Sequence, residues 1–303
     1  MTSENYKEIN CADSYKIIDG RRYLSEENTK YYLPNDEMEM SRISLEHVIL
    51  RYIWQGNYLS NIEKRLIEGN TKVIDLGCGT GQWTIEMSSK YPLSTFIGID
   101  IISSYFPSEE ERPANLAFLQ HNLVENPGVP FPDNTFDFTF MRNLAFSLND
   151  DNGWFHVINE AIRVTNLDGC IEIANYDLYK DYDKEIHGGP IFSKLHDSLR
   201  EIHEKDNIKM PTASDVVEYL KRTNQVTNIR VEEKASPLGS WGGRLGELTL
   251  LNISMAYQGF KAHLLPLMNI SGDEYDNLLN KMRDECTKYK TRCFTYRVYG
   301  IKC

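Results

Sequence analysis

The segment from Val73 to Gly81 contains the residues whose types and spacing point most clearly to chemistry. Its sequence is Val-Ile-Asp-Leu-Gly-Cys-Gly-Thr-Gly, so an apolar run that includes Asp75 is followed by three glycines alternating with small residues. This pattern predicts a buried strand, a tight turn and a helix that begins near Gln82. The glycines would let a ligand approach the backbone, and the free N–H groups at the helix start would attract a carboxylate or a phosphate.

Two classes of ligand use such a loop, and the spacing of the glycines separates them. The dinucleotide fingerprint G-x-G-x-x-G requires its third glycine at position 82, which is occupied by Gln82. A nicotinamide oxidoreductase is therefore a remote alternative. The observed order D-x-G-x-G-x-G instead resembles motif I of the class I methyltransferases that use S-adenosylmethionine (SAM).

The segments that follow predict the sheet that must position this loop. Asp100 ends a second apolar run, 25 residues after Asp75. An acid at the end of the second strand of a doubly wound sheet can accept both hydroxyls of a ribose. Further strands are predicted at 116–120 and 170–174, and the segment 131–140 predicts a Pro-Asp-Asn turn that leads into another strand, with helical segments between the strands. The alternation predicts an α/β fold with a mostly parallel sheet and ligands at the carboxyl ends of its strands.

The flanking segments narrow the resemblance. They are Gly-Arg-Arg-Tyr at 20–23, Tyr-Tyr-Leu-Pro-Asn-Asp at 31–36, Arg-Asn-Leu-Ala at 142–145 and Trp-Gly-Gly-Arg-Leu-Gly at 241–246. Together they resemble the fungal LaeA-like methyltransferases, a family that mixes regulators of secondary metabolism with natural-product tailoring enzymes. The resemblance covers roughly residues 20–303 and implies a Rossmann-like, seven-stranded sheet of order 3-2-1-4-5-7-6 with helices on both faces.

The resemblance also implies where SAM binds. The glycine loop would line the methionine end beside an acid, the second strand would end at the ribose, and the residues after the third strand would flank the adenine. The arginine after the fourth strand would lie below the sulfonium, and an N-terminal helical cap would border the pocket. The implied cofactor-binding residues are Asp75, Gly77, Cys78, Gly79, Gly81, Asp100, Ile101, Asn122, Leu123, Arg142, Tyr32 and Arg42.

An alcohol or phenol acceptor would require a general base, for which histidine is a common choice near neutral pH. His47, His121 and His156 are the candidates, although a lone histidine is more often structural than catalytic. His47 is preferred as the catalytic residue because the N-terminal cap that contains it is expected to overhang the cofactor. The sequence shows no cluster with metal-ligand spacing, so no metal is expected.

Composition limits the partners. The chain has 303 residues, with 44 acidic against 33 basic side chains and a net charge of −11. Nucleic-acid-binding proteins usually present a basic face, so we expect no nucleic-acid partner. The chain has neither an apolar run of membrane-spanning length nor a leader-like start, so we expect no membrane partner. Six cysteines without a C-x-x-C pair fit the reducing cytoplasm, with the nucleus as the alternative.

We expect one structural unit in which an N-terminal region covers a larger core. The expected divisions are a tail and helical cap at 1–70 and a SAM-binding core at 71–303, with insertions at about 176–228 and 236–292. Tyr176, Tyr179 and Tyr182 of the first insertion are candidates for an aromatic wall against a flat or cationic substrate.

Three functions follow from these patterns. The favoured hypothesis is methyl transfer from SAM to a small molecule, at oxygen or nitrogen, in secondary metabolism. A protein methyltransferase is the second, since the acidic surface could attract Lys/Arg-rich tails. The third is a regulatory protein that binds SAM and acts through protein partners.

Overall fold

The structure is a computed structural model that describes residues 15–24, 31–125, 128–148, 150–178, 180 and 188–303. The strands are β1 (Tyr15–Ile18), β2 (Arg21–Leu24), β3 (Lys72–Leu76), β4 (Thr95–Asp100), β5 (Leu116–Gln120), β6 (Phe136–Arg142), β7 (Thr165–Tyr176), β8 (Val226–Pro237) and β9 (Arg292–Lys302). The α-helices are α1 (Glu37–Trp54), α2 (Glu63–Glu68), α3 (Gln82–Lys90), α4 (Asp151–Val164), α5 (Gly189–Lys205), α6 (Ala213–Arg222), α7 (Gly243–Met268) and α8 (Gly272–Lys288).

Strands β3 to β9 form one sheet in the order β5-β4-β3-β6-β7-β9-β8. The strands from β3 to β7 pair in parallel, and β9 runs antiparallel to both of its neighbours. The predicted order 3-2-1-4-5-7-6 is therefore confirmed. The chain moves from β3 to β4 on one side and returns to β6 on the other. A ligand crevice is expected beyond the carboxyl ends of the strands at this switch point.

The central strand β3 is buried on both faces, because helices cover both sides of the sheet. Ile74 and Leu76 face a core that includes Trp154 of α4. Val73 faces the opposite core, in which the indole of Trp83 on α3 stacks on Phe140 at 4.0 Å between ring centroids. This two-sided packing explains why the motif segment is apolar at every position before the glycine loop, Asp75 excepted.

The N-terminal cap and the inserted helices build a second layer over the crevice. The N-cap of helix α1 is Asp36, whose side chain accepts a hydrogen bond from the Glu39 amide at 3.0 Å. Helices α5, α7 and α8 pack together around their own apolar core, which includes Leu195, Phe260 and Tyr275. Helices α6 and α8 each begin with a capping box, formed by Thr212 with Asp215 and by Ser271 with Glu274.

Some elements differ from the predictions. An antiparallel hairpin of β1 and β2 lies where a loose tail was expected, and its turn residues Asp19 and Gly20 both have positive φ. Strand β7 begins at Thr165 instead of near residue 170. Among the described residues, no helix has the length and apolarity needed to cross a membrane.

Candidate active site

One cavity of about 230 Å³ opens at the carboxyl ends of β3, β4, β6 and β7 and continues beneath helices α1, α5 and α7. All but two of the predicted cofactor-binding residues line it. Those that do are Asp75, Gly77, Cys78, Gly79, Asp100, Ile101, Asn122, Leu123, Arg142 and Arg42. Residues distant in sequence therefore meet in one space, and we call the part near the glycine loop the cofactor half.

The glycine loop is held against β4 by its own backbone. The amides of Gly77 and Cys78 both donate to the Ile99 carbonyl, at 2.8 and 2.9 Å. At Gly79, φ is +56°, and an added Cβ would meet only the Cγ2 atom of Ile43, at 3.6 Å. The backbone of Gly79 therefore borders open cavity, as a loop that cradles a ligand must.

Gly81 lies outside the cavity lining and has a different role. It is the N-cap of α3 with φ +72°, and a Cβ there would lie 2.4 Å from the Cζ atom of Phe118. Phe118 in turn stacks on Phe106 at 4.9 Å between centroids. The structure thus gives Gly81 a packing role, and the third glycine of the motif lets the helix approach the sheet.

Asp100 ties the end of β4 to the glycine loop. One carboxylate oxygen accepts the Gly79 amide at 2.7 Å, and the other accepts the Ile102 amide at 3.0 Å. Burial raises the pKa of this carboxyl group, against the lowering effect of those backbone hydrogen bonds. Each carboxylate oxygen keeps a second lone pair, so both hydroxyls of a ribose could still be accepted.

Asp75 lies deeper, at the base of the loop. Its Oδ2 atom accepts a hydrogen bond from the Thr84 hydroxyl at 2.7 Å. Burial raises the pKa of Asp75 to about 7. A cationic ammonium placed beside it would favour the ionised form and bring the pKa down again. The residue therefore suits the role of ammonium partner.

Asn122 and Leu123 follow β5 and form the far wall of the cofactor half. The Oδ1 atom of Asn122 accepts the Val124 amide at 3.2 Å, which fixes the turn. His121 also lines the cavity, and its Nε2 atom lies 2.8 Å from the Gly128 carbonyl, to which it can only donate. This wall presents a turn of backbone and an apolar side chain, an arrangement that suits a flat base.

His47, the predicted general base, does not line the cavity but lies behind its wall. Its Nδ1 atom accepts from Nη2 of Arg142 at 3.1 Å, so Nε2 carries the proton and donates to Glu86 at 2.8 Å. Burial, with the nearby Arg142 charge, lowers the pKa of His47 to about 4. A neutral histidine whose lone pair is already engaged is a poor base. His47 is better described as a positioning residue for Arg142.

Arg42 lines the cavity within a buried network. Its guanidinium contacts Glu39 at 2.8 Å and Glu46 at 2.9 Å. Glu46 also accepts from the side-chain amides of Asn143, at 2.9 Å, and Asn252, at 3.3 Å. Glu46 also lines the cavity and was not predicted, although its position four residues after Arg42 on a helix is a recognisable pairing signal.

The remaining predicted residues are placed as follows. Tyr32 does not line the cavity; its hydroxyl donates to Asp206, and its ring meets His263 edge-on at 4.8 Å between centroids. The neighbouring Tyr31 lines the cavity instead. His156 is on α4 and outside the lining. Tyr176 lines the cavity, whereas Tyr179 and Tyr182 lie outside the described residues.

The rest of the cavity, which we call the acceptor half, is walled mainly by apolar side chains of the N-terminal cap and the inserted helices. These walls include Leu33, Phe146, Phe192, Leu199, Leu238, Ile253, Tyr257 and Phe260. His196 also lines this half, with Nε2 2.7 Å from the Leu178 carbonyl and Nδ1 3.0 Å from the Tyr257 hydroxyl. Within the described part of the chain, no group of three metal-ligating side chains is arranged to hold a metal ion.

Comparison with known proteins agrees with this geometry. The profile of the family described as "Methyltransferase domain" matches residues 73–169. The methyltransferase pytC of Aspergillus terreus is 25% identical over 259 residues, which cover 82% of this chain and 75% of that protein. The protein-methionine methyltransferase laeA of Emericella nidulans is 32% identical over 103 residues, covering 33% of this chain and 25% of the relative.

Among solved structures, the fold is similar to that of phosphoethanolamine N-methyltransferase 2 from Haemonchus contortus, solved with SAM. The TM-score is 0.50 and the identity 16%, over 93% of this chain and 62% of the other. The glycine loop with open space at Gly79 and the carboxylates of Asp75 and Asp100 fit the methionine and ribose groups of SAM. The chain therefore carries a SAM-dependent methyltransferase domain of the class I fold around residues 73–169, and it resembles the LaeA-like proteins.

Proposed function

We propose that this enzyme transfers the methyl group of SAM to oxygen or nitrogen of a small molecule. The observation that supports this best is the continuity of the cavity. The cofactor half opens directly into an acceptor half that is mostly apolar and lies beneath α1, α5 and α7. Binding pockets for small molecules are typically concave and apolar with a few placed polar groups, and this one has that composition.

SAM, when bound, supplies an electrophilic methyl carbon and a neutral thioether leaving group, so the protein mainly has to position the reactants. In this chain the glycine loop and Asp100 would fix the cofactor, and Arg142 at the end of β6 stands at the boundary between the two halves. The apolar walls would exclude water and orient the acceptor. Because both ring nitrogens of His47 are engaged, we do not assign it the role of general base.

The direct test is incubation of the purified protein with methyl-labelled SAM and a metabolite extract, followed by separation into acid-precipitable and small-molecule fractions. Label that depends on the enzyme should appear in the small-molecule fraction. The variant Asp100→Ala serves as the control, because it removes the acceptor of the Gly79 and Ile102 amides and of the expected ribose hydroxyls. Label confined to the precipitate would contradict the proposal.

A protein acceptor is the second candidate, and one comparison favours it. The relative from Emericella nidulans is described as a protein-methionine methyltransferase. A methionine side chain is unbranched and apolar, so the acceptor half could also receive it. In the same assay this function predicts label in the precipitate and added methyl groups on methionine in peptide mass spectra. Participation in secondary metabolism, and regulation through protein partners, stay proposals under either outcome.

A further inference from the structure

Two hydrogen-bond donors in the cavity wall have no partner among the described residues. They are the Nη1 atom of Arg142 and the hydroxyl of Tyr176, and both atoms are buried. Buried donors are almost always satisfied, because an unpaired one costs roughly 1–3 kcal/mol. Since both side chains line the cavity, a bound ligand is the natural source of the missing acceptor.

The two donors lie on adjacent strands. Arg142 ends β6 and pairs with Ala174 of β7, and Tyr176 lies two residues further along β7. Each influences the pKa of the other, as expected for neighbouring groups. Arg142, on β6, is one strand away from β3, and Tyr176, on β7, is two strands away. Strand β3 ends at the glycine loop. They therefore lie on the acceptor side of the switch point.

The guanidinium of Arg142 is held so that one end remains free. Its Nη2 atom is occupied by His47, which Glu86 orients in turn. The carboxylates of Asp75 and Glu46 act most strongly on the charge of Arg142, but neither bonds to Nη1. Asp75 accepts from Thr84, and Glu46 accepts from Arg42, Asn143 and Asn252. Arg142 thus keeps a buried, unpaired N–H in a side chain that lines the cavity.

The charge of the acceptor half suits an anion. Away from Asp75 and Asp100 of the cofactor half, the lining contains more cationic than anionic side chains. The cationic ones are Arg42, Arg142, Lys180 and Arg292, and the anionic ones are Glu46 and Asp177. Arg42 is paired with Glu39 and Glu46, and Lys180 with Glu233, so Arg142 and Arg292 are the cations of this lining that form no ion pair with a described carboxylate. The surrounding walls are apolar, so a buried oxygen anion would be poorly solvated unless these donors bound it.

We propose that Arg142 Nη1 and the Tyr176 hydroxyl form a two-donor subsite for an oxygen anion of the acceptor. The acceptor class is an otherwise apolar molecule with a carboxylate, phenolate or enolate oxygen. This inference rests on the proposed small-molecule function. It adds to it the polar group that fixes the acceptor's orientation, while the apolar walls bind the remainder.

The test measures binding without relying on turnover. The full-length protein, saturated with S-adenosylhomocysteine, is titrated calorimetrically with 2-naphthoate and with the neutral 2-naphthalenemethanol. We expect naphthoate to bind at least tenfold more tightly. Tyr176→Phe should weaken naphthoate binding about tenfold, the usual effect of one hydrogen bond to a charged group. It should leave the affinity for S-adenosylhomocysteine within twofold.

Tyr105→Phe is the matched control, since Tyr105 lines the cofactor half and its hydroxyl already contacts the Pro34 carbonyl at 3.5 Å. It should not change naphthoate binding. Equal or absent binding of the two probes would overturn the subsite. A loss of S-adenosylhomocysteine affinity in Tyr176→Phe that matches the loss for naphthoate would also overturn it, since the donors would then serve the cofactor. A naphthoate preference without methyl transfer to any small molecule would defeat only the proposed function.

Discussion

Two glycines of the loop, Gly79 and Gly81, should respond differently to substitution by alanine. One change should mainly weaken ligand binding, and the other should mainly destabilise the fold. Gly79 and Gly81 both have positive φ, so alanine at either position costs roughly 1–2 kcal/mol of backbone strain. At Gly79 the new methyl group would occupy open cavity, whereas at Gly81 it would overlap the Phe118 ring at 2.4 Å. That overlap adds about 1–3 kcal/mol of overpacking.

We therefore expect Gly81→Ala to lower the free energy of unfolding by about 2–5 kcal/mol, and Gly79→Ala by only about 1–2 kcal/mol. For the affinity of S-adenosylhomocysteine we expect the opposite order, with the larger loss in Gly79→Ala. Gly79→Ala should weaken S-adenosylhomocysteine at least tenfold, or about 1.4 kcal/mol, because its methyl group takes the space of the ligand.

Urea unfolding with and without S-adenosylhomocysteine measures both quantities. At a ligand concentration 100 times the wild-type Kd, the wild-type protein should gain about 2.7 kcal/mol of stability. Gly79→Ala should gain only about half of that, and Gly81→Ala should gain nearly as much as the wild type. A Gly79→Ala protein that the ligand stabilises like the wild type would refute the assignment of this loop.

Three further predictions concern other parts of the chain. His47→Asn, which can keep an acceptor for Arg142, should retain methyl transfer within a few-fold and leave the pH profile of kcat/KM unchanged; a loss of 100-fold or more would restore His47 as the base. Burial lowers the pKa of His203 to about 4, so its neutral form stabilises the fold above the unfolded pKa of 6.5, and this contribution declines as the pH falls toward 4. Urea midpoints should therefore show His203→Leu gaining about 2 kcal/mol relative to the wild type between pH 7 and pH 5, and an unchanged gap would contradict the shift. Arg297→Met leaves Glu172 buried with only the backbone amides of residues 59 and 60 as partners, and calorimetry should show that the free energy of unfolding falls by about 3–5 kcal/mol. A loss below about 1 kcal/mol would contradict the buried ion pair.

The parts of the fold that the sequence predicted well are those with strong local patterns. Strand β5 has the predicted bounds, and α3 begins at Gln82 as predicted, because apolar periodicity and turn residues act over a few positions. The β1–β2 hairpin was missed although Asp19-Gly20 is a known signal for a tight hairpin turn. The division into a cap at 1–70 and a core at 71–303 stays a prediction.

The location of the site could be predicted from the sequence, but the hydrogen bonds between its side chains could not. Motif spacing located the loop and Asp100, because one strand–turn–helix unit determines their geometry. The spacing did not reveal that the Nδ1 atom of His47 accepts a hydrogen bond from Arg142, since those residues are 95 positions apart. The same holds for Tyr31, which lines the cavity in place of Tyr32, because helix packing decides which of two adjacent tyrosines faces inward.

The most direct test of the account is a crystal structure of the protein with S-adenosylhomocysteine. The homocysteine should lie along residues 77–79, the ribose hydroxyls on Asp100, and the adenine beside Asn122 and Leu123. The sulfur should face the acceptor half, near Arg142. A ligand bound elsewhere, or a ribose without contact to Asp100, would contradict the assignment of this cavity as the methyl-transfer site.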